Sequence, residues 1–240
     1  MAEYRYSEYN LTRKLDSIFT MLRTKVPGGN ELLNPEALLK NQLGLTFGMK
    51  VGDFGCGGGG YFALEASRLV GDHGQVFAVD VLQSVLSNVA SRAQGLGIEN
   101  VITVWSNLEV FGATRILDDS LDVGLIINVL FQNKEPRCIL REAARMVRPG
   151  GFLLVVDWKE GRFPLGPLPQ DKVSPQTVRR VAHELGLQEQ GMFDAGPFHY
   201  GIILEKSLPP KAAPRMGYGT APAAAAPLKS AADPGALVIK

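Results

Sequence analysis

Cysteine is nearly missing from this 240-residue chain: Cys56 and Cys138 stand apart, and neither falls in a C-x-x-C or C-x-x-H spacing. That leaves metal binding without support and makes a disulfide framework out of place in a chain of this size. Excess charge of either sign is missing too. Lys and Arg together number 25 against 24 Asp and Glu, a formal net charge of +1. The balance argues against a nucleic-acid partner, which usually draws on a basic excess. Long hydrophobic runs are absent: none reaches the length of a membrane span. The opening MAEYRYSEYNLTRKL is too polar for a signal peptide, so a cytoplasmic protein is expected. No internal repeat is visible.

What remains is ordinary for a globular chain, with 45% hydrophobic and 20% charged residues. The length suits one α/β domain. Leu11, Leu15, Ile18, Phe19 and Leu22 recur at helical spacing and predict an N-terminal helical segment within residues 1–30. Asn34-Pro35 can start a second, short helix. From residue 49 strand and helix alternate. Strands are expected at 49–54, 76–80, 101–105, 121–127, 152–157, 187–193 and 200–206, with helices over 60–70, 82–96, 135–147 and 174–186. Short apolar strands separated by helix-length segments predict a parallel sheet covered on both faces. The domain so defined spans 31–207. Beyond it, 208–240 is about half Ala and Pro, which predicts a disordered tail.

The most informative stretch is VGDFGCGGGG at 51–60, which ends a strand and opens a helix. Gly55, Gly57 and Gly59 leave out side chains where the backbone turns sharply and must approach a ligand closely. Twenty residues past Gly60 the strand VFAVD ends on Asp80, whose carboxylate can accept both hydroxyls of a ribose. Together they point to an adenosine-containing cofactor. The stretch also satisfies G-x-G-x-x-G at Gly55, Gly57 and Gly60, a weak signal for a dinucleotide. Asp53 tips the choice: an acid there repels a pyrophosphate but suits the sulfonium and ammonium of S-adenosylmethionine.

These residues resemble the class I S-adenosylmethionine-dependent methyltransferases. DFGCGGG is similar to their D-x-G-x-G-x-G motif and Asp80 to their ribose acid. DDSLDVGLIINVLFQ looks like their fourth-strand motif, and RMVRPGGFLLVVDW like the helix, turn and strand that follow. The resemblance covers about residues 30 to 206, with the type-11 and ubiquinone/menaquinone-biosynthesis-like branch. It implies a Rossmann-like doubly wound sheet of seven strands, mostly parallel, with one antiparallel strand near the C-terminal end. It implies S-adenosylmethionine as cofactor, with contacts at Asp53, Gly55, Cys56, Gly57, Gly59, Asp80, Val81, Asn107, Leu108 and Asn128. The family's Asp near the adenine is replaced here by Ser106-Asn107-Leu108-Glu109.

Ligands in such sheets bind beyond the carboxyl ends of the parallel strands. Asn128 and Asp157 follow the fourth and fifth strands, and an antiparallel last strand brings His199 and Tyr200 to the same edge. His199, Asp157 and Tyr200 are therefore the candidates for a general base, needed only if the acceptor must lose a proton. The loop 158–171, with Trp158 and Phe163, is a candidate substrate lining, and His183 is expected on a helix surface. The fourth-strand motif is NVLF rather than Asn/Asp-Pro-Pro-aromatic, and the cysteine clusters of arsenite methylation are missing, which favours a small-molecule methyl acceptor. Three alternatives stay open: a nucleic-acid or protein methyltransferase, a non-catalytic S-adenosylmethionine-binding regulator, and a nicotinamide-dependent oxidoreductase.

Overall fold

An apolar run such as LDVGLII at Leu121–Ile127 has no polar face to give to water, so it must be covered from both sides. The computed structural model, which describes residues 29–208, meets that demand with one sheet of seven strands. The strands are β1 (Lys50–Phe54), β2 (Gln75–Asp80), β3 (Val101–Trp105), β4 (Leu121–Ile127), β5 (Val147–Trp158), β6 (Leu187–Asp194) and β7 (His199–Lys206). Their order is β3-β2-β1-β4-β5-β7-β6, and β7 alone runs antiparallel to its neighbours. The doubly wound sheet with one antiparallel strand is the architecture expected above. The N-terminal helical segment expected within 1–30, apart from Gly29 and Asn30, and the Ala/Pro-rich tail, apart from Leu208, lie outside the described residues.

Four helices cover the faces: α1 (Tyr61–Val70), α2 (Gln83–Gly95), α3 (Pro136–Met146) and α4 (Pro175–Glu184). Alternation along the strands divides the core in two. Leu125, Ile127, Leu154 and Val156 pack with Phe62, Ala66 and Val89 on the α1–α2 side. Ile126, Val155, Tyr200 and Ile202 pack with Leu140, Ala143, Val178 and Val181 on the α3–α4 side. No helix among the described residues is long and apolar enough to cross a membrane.

Local chemistry sets the boundaries. Ser174 Oγ accepts the Thr177 N–H at 3.2 Å and Pro175 occupies the first turn of α4, as the sequence predicts. Asn34 likewise accepts the Ala37 N–H at 3.0 Å, but the helix it opens winds as a π-helix over Ala37–Gln42. The fifth strand starts five residues earlier than expected, at Val147 rather than 152. Leu121 pairs with Val147 and Val123 with Phe152, so Arg148-Pro149-Gly150-Gly151 is accommodated as an irregularity within the ladder.

Strand order reverses between β1 and β4, which both run parallel and end at one edge. The crevice beyond their carboxyl ends is where such a sheet takes its ligand.

Candidate cofactor and acceptor site

The glycine loop leaves β1 at Gly55 (φ 79°), Gly57 (φ 65°) and Gly60 (φ 56°), three residues in the left-handed region. Gly59 is not among them, so the strained positions follow the G-x-G-x-x-G spacing instead of the D-x-G-x-G-x-G one. What keeps Gly59 bare is the ring of Tyr61 against it. At Gly55 a Cβ would lie 2.6 Å from Val129 Cγ2, whereas at Gly57 it would meet nothing nearer than Asn30 Nδ2 at 4.0 Å. The loop is thus wedged on one side and open over Gly57. The Gly55 and Cys56 N–H groups both donate to the Val79 carbonyl, fixing the loop to β2. Cys56 is buried, and that burial pushes its thiol well above the usual range, so it serves as packing.

Two carboxylates flank the loop. Asp80, at the end of β2, accepts the Gly57 N–H at 3.3 Å on Oδ2 and the Leu82 N–H at 3.0 Å on Oδ1. Asp53 is buried in β1 and its Oδ2 has no partner among the described residues. Burial pushes it up to about 7, repulsion from Asp80 adds to this, and a backbone hydrogen bond from Ala63 opposes it. Beside Asp80 stand exposed apolar side chains: Val81, Leu82 and Trp105, the last 65% exposed. Trp105 Nε1 donates to the Val81 carbonyl at 2.9 Å, which ties the indole to the chain just after β2. Leu108 is buried behind them, and Asn107 is exposed with Oδ1 accepting the Glu109 N–H at 2.9 Å. An adenosine fits this arrangement: an acid for the ribose, apolar walls for the base, and an open glycine backbone between. The unpartnered Asp53 oxygen supplies what a cationic group requires.

The other half of the edge is built from β4, β5 and β7. Asn128 follows β4 with φ 57°, a conformation asparagine tolerates better than most. Its Nδ2 donates to Asn30 Oδ1 at 2.9 Å, while its buried Oδ1 has no partner among the described residues. The pairing of β5 with β7 sets Asp157 opposite Tyr200 and Trp158 opposite His199, so the start of β7 does reach this edge. Side chains alternate, however, and the two pairs face opposite ways.

Asp157 and Tyr200, expected as candidate bases, face away from His199 and Trp158 in this register. Both lie on the α3–α4 side and are already committed. Asp157 Oδ2 accepts the N–H groups of Leu130 (3.0 Å) and Phe131 (3.3 Å), and Oδ1 accepts that of Trp158 (2.8 Å). Burial pushes Asp157 up to about 7 against those three bonds, but its work is to hold the turn after Asn128. Tyr200 donates to the Val173 carbonyl at 2.9 Å, its ring is in the core, and burial pushes its hydroxyl well above the usual range.

His199 faces the other way. It is fully buried, its ring centroid lies 4.3 Å from that of Trp158, and neither ring nitrogen has a partner among the described residues. Burial pushes it down to about 4, with Lys159 and Lys172 adding to the effect, so the imidazole is neutral near pH 7. Trp158, expected in the loop, instead ends β5 and is buried. His183 is on the exposed side of α4, as expected. Three residues here were not singled out by sequence reasoning: Asn30 through its bond to Asn128, Val129 through its wedge on Gly55, and Lys172, whose Nζ lies 4.2 Å from the Phe163 ring centroid. Only Val129 lay within a quoted motif, and nothing in spacing singled it out.

Known proteins share much of this frame. A family model described as "Methyltransferase domain" matches residues 45–191. The ubiquinone/menaquinone biosynthesis C-methyltransferase UbiE of Shewanella frigidimarina is 34% identical over 119 residues, 49% of this chain and 46% of that protein. The chain spans about half the length of the curated relatives it matches. A crystallised SAM-dependent methyltransferase from Aquifex aeolicus superposes with a TM-score of 0.67 at 27% identity, covering 79% of this chain and 97% of that one. The cyclase SpnF superposes with a TM-score of 0.61 at 17% identity over 72% of this chain and 79% of its own, a likeness of fold alone.

Proposed function

The chain belongs to the family of S-adenosylmethionine-dependent methyltransferase domains, and from that membership we propose that it transfers the sulfonium methyl group to a small-molecule acceptor. The observation that carries the reading is the open backbone at Gly57 lying between the Asp80 carboxylate and the unpartnered buried Asp53. Asp80 would take the ribose hydroxyls, and Val81, Leu108 and Trp105 would flank the adenine with Asn107 at its rim. Gly55, Cys56, Gly57 and Gly59 would let the methionyl part lie against backbone. Asp53 and the Oδ1 of Asn128 would face its cationic end.

S-adenosylmethionine supplies an electrophilic methyl, so the protein's share is alignment of acceptor, methyl and sulfur in a dry site. His199 is neutral, buried and beside Trp158, and it would orient the acceptor or take its proton. The names of the UbiE relatives offer ring-carbon methylation as one acceptor chemistry. A cytoplasmic location belongs to the same reading.

Calorimetric titration with S-adenosylmethionine, S-adenosylhomocysteine and NAD tests the cofactor directly. Binding of the first two and not the third is expected; NAD binding alone would sink the proposal. Incubation with methyl-labelled cofactor and metabolite pools then identifies the acceptor. A non-catalytic binding protein is the second reading, and the full burial of His199 and Trp158 at the acceptor side favours it. Label transfer to any acceptor excludes it.

A further inference from the structure

Trp158 and His199 pose a problem of satisfaction. Buried polar groups in folded proteins almost always find partners. Yet the Trp158 Nε1–H and both His199 ring nitrogens are buried without one among the described residues. They sit together at the meeting of β5 and β7. The surroundings are aromatic: the Phe198 ring is stacked 6.5 Å from Trp158, and Phe163 meets Phe198 edge-on at 5.3 Å.

A cation lies over these rings. Lys172 Nζ stands 4.2 Å from the Phe163 centroid and 5.9 Å from the Trp158 centroid, and it donates to the Gly161 carbonyl at 2.8 Å. It has no carboxylate at ion-pair distance among the described residues. Lys159, the other lysine near His199, differs: it pairs with Asp194 at 2.9 Å and donates to the Gly196 carbonyl. The acid that acts electrostatically on Lys172, Asp157, is on the opposite face of β5 with three backbone N–H groups on its oxygens.

The donor count follows from the chemistry of these groups. An indole N–H and an ammonium only donate, and a neutral imidazole donates once and accepts once. The patch therefore offers three kinds of donor against one acceptor, with a net positive charge and flat apolar walls. Two backbone straps lie over it. A Cβ on Gly29 would come within 2.8 Å of the Trp158 ring and one on Gly166 within 2.5 Å, so only glycine lets the chain pass this close.

We propose that Trp158, His199 and Lys172 form the acceptor subsite and that the acceptor is a planar organic anion, an aromatic or conjugated body carrying a negatively charged oxygen. The inference rests on the methyltransferase reading, which places the acceptor at this end of the edge. The indole N–H and imidazole N–H grip the oxygen, Lys172 balances its charge, and the aromatic side chains sandwich the plane. Entry requires the straps at Gly29 and Gly166 to part.

The chain has two tryptophans, Trp105 on the cofactor side and Trp158 here, so a 15N-labelled sample gives two indole N–H resonances, assigned with Trp158→Phe. S-adenosylhomocysteine should move the Trp105 signal. Benzoate, added with and without S-adenosylhomocysteine, should move the Trp158 signal saturably, at a concentration about tenfold below that needed with its neutral isostere benzamide. Lys172→Met should erase the preference while the Trp105 response persists. Equal responses to benzoate and benzamide, or a Trp158 signal unmoved by both, would overturn the subsite. A Trp105 signal indifferent to S-adenosylhomocysteine would count against the methyltransferase reading instead.

Discussion

The two halves of the ligand edge are made of different material. Around β1 and β2 the site is largely backbone: three glycines with positive φ, N–H groups anchored on Val79 and Asp80, and open space above Gly57. Around β5 and β7 it is side chain: Trp158 and His199, buried with polar atoms unpartnered, and Phe198 and Phe163 continuing the row of rings, both partly exposed. Backbone geometry tolerates few residue types, so the first half leaves a signature in the sequence. Side-chain surfaces can be assembled from many combinations, so the second half leaves almost none. The comparison teaches that a surface made of backbone is written in glycines, and a surface made of side chains in packing.

Breaking the first half should have the largest effect. Gly57→Val forces a β-branched residue into φ 65° and fills the open space above the loop. Backbone strain of about 1–2 kcal/mol adds to the steric exclusion. Affinity for S-adenosylmethionine should fall by more than ~100-fold, equivalent to about 2.7 kcal/mol, when read by titration calorimetry. Normal binding by a folded Gly57→Val protein would mean the ligand does not cross the loop.

His199→Ala breaks the other half alone. Turnover should drop by ~100-fold or more, the scale of lost acid–base or orienting chemistry, with cofactor affinity unchanged. A purely structural histidine gives the reverse pattern, a lower melting temperature with activity per folded molecule retained. Melting temperature and single-turnover rate on one preparation separate the two.

Asp80→Ala should weaken the cofactor by about 1–3 kcal/mol, the range for losing hydrogen bonds to a charged group. Single-turnover rate at saturating cofactor should be nearly unchanged. A loss confined to that rate would erase the distinction between the halves.

The smallest effect is in pH dependence. Asp53 is held up to about 7, so below that pH it is protonated and offers no charge to a cationic ligand. Cofactor affinity should rise as pH increases through 7 and flatten above it, because binding favours the ionised carboxylate and releases a proton. Asp53→Asn should remove this dependence. The same group acts oppositely on stability: its folded value lies above its unfolded one, so its contribution is full at low pH and is lost as pH rises from about 4 to about 7. Thermal melts of Asp53→Asn and the parent protein across that range should diverge toward the alkaline side.

Much of the fold was legible because its signals are local. The strands expected at 101–105 and 121–127 form as expected, and Ser174-Pro175 starts its helix where capping chemistry says it should. The glycines between Asp53 and Asp80 were legible because a loop with a left-handed backbone restricts which residues can stand there. Asn30 escaped notice, since its part in the site is one bond to a residue 98 positions away. Lys172 escaped because a lone lysine after a Pro-rich loop is indistinguishable from a solvated one until the rings beneath it are placed.

By itself the sequence determined the alternation of strand and helix, the glycine loop with its two acids, and the chemistry of an adenosine-bearing cofactor. Each depends on residues close in the chain and on conformations that few side chains can adopt. Only the tertiary structure decided which of Asp157, Trp158, His199 and Tyr200 share a face. These are two adjacent pairs, and strand alternation sends one member of each to either face. The β5–β7 register put Asp157 and Tyr200 on the α3–α4 side with their polar atoms bonded, and His199 and Trp158 on the other face with theirs unpartnered. That choice was made by pairing across about forty residues, where no local propensity reaches.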